Sequence, residues 1–134
     1  MSWFSASNES AERQELRAMF ETTISTLRQA KDWQRSVVGD SANMMRKTFH
    51  GTFPKIEHFR AVSPQTRTDY IDSVDTQAME LRQLDVHTGL GVLLFGFWLK
   101  ALAMQDVELE DAIATSLEEL GRFAFEHPFD PAAE

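Results

Sequence analysis

The chain has 134 residues, 43% of them apolar and 25% charged, which fits one globular domain with a sizeable core and excludes global disorder. It contains no cysteine, so disulfide frameworks, thiolate metal sites and cysteine nucleophiles are excluded together. Its net charge of -8 disfavours non-specific binding to nucleic acid or anionic lipid.

The opening residues lack a basic start and an apolar run, and Glu9 and Glu12 stand where a signal peptide is uncharged, so the chain reads as cytoplasmic. Residues 1–7 are expected to form an arm. Trp3 and Phe4 within it either fold back onto the domain or offer a docking point to a protein partner. From about Asn8 to Val38 apolar residues recur at Leu16, Met19, Phe20, Ile24, Leu27, Ala30 and Val37, steps of three and four that predict one long helix ending or kinking at Gly39-Asp40. A shorter helix is predicted from Asp40 or Ser41 through Phe49 to His50-Gly51.

Pro54 opens a short helical piece carrying Ile56 and Phe59. Ser63 followed by Pro64 is a strong start signal, because the serine hydroxyl satisfies one orphan amide and proline removes another. The helix that follows carries Tyr70, Ile71, Val74, Ala78, Leu81 and Leu84 on one face and is expected to end near Thr88-Gly89. Asp106 begins a final helix with Val107, Leu109, Ile113, Leu117, Leu120 and Phe123 inward, and residues 128–134 form a tail. No period-two alternation occurs, and the fold class is all-α, a bundle of four to five helices in a single domain.

Between the last two helices lies GLGVLLFGFWLKALA, residues 89–103. A dinucleotide loop would need its third glycine at position 94, where Leu94 stands. A membrane span needs roughly 20 mostly apolar residues, whereas this stretch is uncharged only from Val86 to Leu99. It is therefore expected to be the central, all-apolar helix of the bundle or part of a subunit interface. Gly89, Gly96 and Ala103 stand seven apart and predict a shallow stripe for close helix approach. Lys100 is expected to reach water at the bundle end, with pairing to a carboxylate or an anionic ligand as the alternative.

His50, His87 and His127 precede Gly51, Thr88-Gly89 and Pro128 and are expected at helix C-termini, where the helix dipole favours imidazolium. His58 stands apart beside Glu57 and Arg60. Metal-binding spacings such as Glu-x-x-His and His-x-x-x-His are absent, and Asp69, Asp72 and Asp75 read as a solvated helix face, so neither a metal nor a cofactor is expected. Hydrolase and nucleotide-triphosphatase motifs are also missing.

Charge is uneven along the chain: residues 1–67 hold ten Lys plus Arg against seven Asp plus Glu, and residues 68–134 hold three against fourteen. Arg28, Lys31 and Arg35 fall on one helix side and suit a phosphate, an acidic protein surface, or the acidic half of this chain or of a second copy. These observations predict a non-enzymatic protein-interaction module of the regulator, adaptor or chaperone kind, with a homodimer as one form. The alternative is a small-ligand-binding or enzymatic protein with a pocket near Arg46, His58, Arg60 and Lys100. Nucleic-acid binding through residues 28–67 is the third reading, disfavoured because aromatic interleaving and a basic recognition helix are lacking.

Overall fold

The computed structural model describes residues 2–129, with side chains described from Ala11 onward. Among these residues the chain is all-α, with helices α1 (Ser2–Arg28), α2 (Asp32–Thr52), α3 (Ile56–Ala61), α4 (Pro64–Leu84), α5 (Val86–Met104) and α6 (Val107–Glu126). Five long helices and one short one form a bundle around α5, as the sequence pattern predicts.

The helix starts follow local chemistry. Ser63 Oγ accepts from Thr66 N at 3.2 Å with Pro64 in the first turn, and Asp106 Oδ1 accepts from Leu109 N at 3.1 Å. Asp85 closes α4, its amide donating to Leu81 O, and opens α5, its carboxylate accepting from the amides of His87 and Thr88 and from the Thr88 hydroxyl. These donors, the Thr88 hydroxyl foremost, hold the Asp85 carboxyl below its ordinary range.

Three boundaries differ from the sequence expectation. The chain is helical from Ser2, so residues 2–7 belong to α1 and not to an arm. The break after α1 falls at Gln29 to Lys31, where Lys31 is extended and its amide donates to Gln34 Oε1 at 2.9 Å. Helix α2 then runs unbroken through Gly39, where α6 lies so close that a Cβ would collide with the Leu120 carbonyl. Here glycine is a packing residue and not a stop. The third shift moves the α4–α5 turn back from Thr88-Gly89 to Asp85, since one aspartate caps both helices.

The core gathers around Phe49, whose ring meets Phe53, Phe59, Phe95 and Trp98 at centroid distances of 5.3 to 5.8 Å. Each such aromatic contact contributes about 0.5–1.5 kcal/mol beyond its burial. Leu94, Leu99, Leu102, Ile113 and Leu117 are also buried. Helix α2 is locked to both neighbours by small residues and short polar clips. Gly91 on α5 lets Val38 O approach to 2.5 Å of where a Cβ would stand, and Gly121 on α6 admits Asn43. Ser41 Oγ donates to Thr88 O at 2.6 Å, Asn43 Nδ2 to Gly121 O at 3.3 Å, and the buried Ser36 Oγ to His127 O at 2.5 Å. The expected stripe is thus only partly used: Gly89 and Gly96 pack against Arg82, Asp75 and Val74 on α4, while Ala103 is exposed.

Leu84 and Val107, expected inward, are exposed at helix ends next to Asp85 and Asp106, where the chain reverses and leaves no neighbour to cover them.

Candidate functional site

Helix α5 is apolar on all sides, so any flank left uncovered becomes an apolar surface. Helices α2 and α6 cover one side. On the other, α1 lies antiparallel to α5, with Arg13 Nη2 donating to Met104 O at 2.9 Å. There α1 presents Ala18, Met19, Thr22, Thr23 and Thr26, mostly short side chains that do not reach across. Thr23 and Thr26 turn their hydroxyls back to Met19 O and Thr22 O, at 2.9 and 3.1 Å, and so need no partner beyond their own helix.

Helix α4 forms the opposite rim with Asp75, Met79 and Arg82. Between the rims runs an open groove of about 750 Å³, floored by Val86, Leu90, Leu93 and Phe97. Large apolar side chains remain in water along it, Met79 at 66% and Val86 at 52% exposed. Charge is confined to the ends. At one end Lys100 Nζ lies 2.9 Å from Asp75 Oδ2 and 6.0 Å from the centre of the Phe97 ring. At the other the Arg82 stem lies across Gly89.

Lys100 therefore pairs with a carboxylate instead of simply reaching water, because Gly96 leaves room for Asp75 beside α5. The two arginines grouped with it on sequence grounds are set against different carboxylates. Arg46 faces Glu118 at 4.0 Å, Arg60 faces Glu110 at 3.4 Å, and His58 is exposed on α3. Arg60 and Lys100 line separate depressions. Burial pushes the Glu110 carboxyl up against the opposing pull of Arg60. Basic residues of the first half thus meet acidic residues of the second within one chain, and Arg67 is turned inward to the carbonyls of Arg60 and Val62, both at 2.7 Å.

Arg28 and Arg35 do come together. They share a depression of about 240 Å³ with Ile24, Leu27, Ser116, Glu119, Leu120 and Phe123. Arg35 pairs with Asp32 and lies 5.0 Å over the Phe123 ring, and its buried Nε has no hydrogen-bond partner among the described residues. Lys31 is exposed at the start of α2, and the side chains of Trp3 and Phe4 lie outside the described residues.

His50 and His127 stand at the C-terminal ends of α2 and α6, His127 stacked 4.4 Å over Phe123. His87 does not: the reversal at Asp85 puts it in the first turn of α5, edge-on to Trp33 at 5.3 Å. Among the described residues no group of three histidine, aspartate or glutamate side chains is placed to hold a metal.

By length and composition α5 alone among the described helices could cross a membrane, and 61% of that window is buried among the other helices. No protein-family model, curated protein or solved structure matches this chain.

The groove residues Met79, Arg82, Leu90 and Leu93 escaped the sequence reading. A signal was present: a helix apolar on every side beside a helix whose flank reads Ala18, Thr22, Thr26.

Proposed function

We propose that this chain is a non-enzymatic protein-interaction module, an adaptor, regulator or chaperone, that receives an amphipathic helix in the groove between α1, α4 and α5. The observation that carries the reading is the uncovered flank of α5. From Val86 to Lys100 the floor extends over fifteen residues, about 21 Å at the helical rise. That is about four turns of a bound helix, which would anchor through apolar residues at helical spacing. The flanking Met19 and Met79 are unbranched and adapt to different side chains. The charged ends would set the direction of the bound helix without holding charge in its apolar middle.

Selection of displayed helical peptides on the intact chain and on Leu93→Asp tests this. Amphipathic helices enriched on the parent and lost on the variant, whose helical content stays unchanged, support the reading. Absence of enrichment, or enrichment that the variant retains, overturns it.

A further inference from the structure

The α4 rim carries its groups in a self-complementary order. Asp75, Met79 and Arg82 are spaced four and then three residues apart, so they form one stripe along the helix. Asp72 lies one turn before Asp75 and is exposed. Asp75 sits against Gly96 and Arg82 against Gly89, and this register puts Met79 level with position 92 of α5, next to Leu93 in the groove. Arg82 makes no ion pair among the described residues.

We propose that a second copy of this chain covers the groove, docked about a two-fold axis that passes beside Met79, with the two α4 helices antiparallel. An isologous contact brings residue i of one copy to residue j of the other and the reverse. Here the stripe is acid, methionine, base. The partner's Arg82 reaches Asp72 and Asp75, while Lys100 keeps the far side of Asp75. Two carboxylates then face two cations, and the covered cluster carries no net charge. The partner's Met79 comes to lie beside Met79 over Leu90 and Leu93. A parallel docking would set Asp75 on Asp75 and Arg82 on Arg82, which like-charge repulsion disfavours. The proposal rests on the groove being a docking face and names a second copy as its occupant in the free protein.

The chain contains no cysteine, so Met79→Cys carries a single thiol on the axis. Met44→Cys is its control, since Met44 on α2 is 69% exposed against 66% for Met79. Light scattering from about 10 µM to about 1 mM, at about 0.15 M salt, is expected to show the mass rising to that of a dimer. Under mild oxidation Met79→Cys is expected to form covalent dimer about tenfold faster than Met44→Cys, because association raises the local thiol concentration. Arg82→Glu is expected to be monomeric with its helical content intact, and adding Asp72→Lys to it restores the dimer with the charges exchanged.

A monomer mass at every concentration overturns the proposal. So does a dimer in which Met79→Cys cross-links no faster than Met44→Cys, or one that Arg82→Glu leaves intact. Helical peptides that still depend on Leu93 in a strictly monomeric protein would sink this inference alone, whereas loss of both results would remove the groove reading as well.

Discussion

The two flanks of α5 carry side chains of much the same apolar kind, and they meet different fates. Towards α2 and α6 the helix is sealed: Gly91 lets α2 approach and Ser41 clips that crossing, while Gly39, Gly121 and the Asn43 hydrogen bond close α2 against α6. In the gap between α1 and α4 it is open, because α1 faces the gap with short threonines and α4, though it packs on α5 at Gly89 and Gly96, turns only Asp75, Met79 and Arg82 towards it. Apolarity alone does not determine burial. The neighbour must present a surface that can close.

The largest test of that contrast removes one large side chain from each flank. Phe49→Ala is expected to destabilise the chain by about 4 kcal/mol, the cost of a cavity at a fully buried aromatic, since Phe49 has no exposed surface. Met79→Ala on the open rim, compared at dilutions where the chain is monomeric, is expected to stay within about 0.5 kcal/mol of the parent. Urea unfolding of both variants measures the difference, and comparable losses would show that the groove is not an open surface.

Two glycines of α2 report the same contrast between close contact and open space. At Gly39 a new Cβ meets the Leu120 carbonyl and the Ala124 side chain, whereas at Gly51 it meets nothing within 4 Å. Gly39→Ala is therefore expected to cost about 3 kcal/mol through overpacking. Gly51→Ala, in the last turn of α2, is expected to gain about 0.5 kcal/mol through lower chain entropy in the unfolded state. Thermal and urea midpoints that move in opposite directions confirm the assignment, and movement in the same direction refutes it.

The smallest effect lies at the turn joining the groove's rim to its floor. Asp85→Ala removes the cap of α5 and is expected to cost about 1 kcal/mol, while Asp85→Asn retains most of the cap. The Asp85 carboxyl titrates below its ordinary range in the folded chain. Its charge-dependent contribution is thus present above the ordinary carboxylate pKa and is lost as pH falls through the lower folded value. Stability profiles of the parent and Asp85→Asn should differ above that window and converge below it. A constant gap across acid pH would exclude the linkage.

Much of the fold is legible in the sequence because it is written in local chemistry. Ser63-Pro64 and Asp106 start helices through hydrogen bonds from amides three residues ahead, and the apolar spacing of Leu109, Ile113 and Leu117 marks an inward face without reference to any partner. The central position of residues 89–103 follows from their composition. The candidate site is far less legible. Arg46, Arg60 and Lys100 look like a cationic set along the chain, and tertiary structure gives each its own carboxylate, Glu118, Glu110 and Asp75, from a distant segment.

The all-α class, the main helix caps and the apolar character of α5 are thus written in the order of residues, since these depend on side chains reaching their own neighbours. Tertiary packing added that the glycine at 39 is a helix contact and not a stop, and which flank of α5 stays uncovered. Those outcomes depend on how closely two backbones separated by tens of residues approach each other. Nothing in a local pattern encodes that distance.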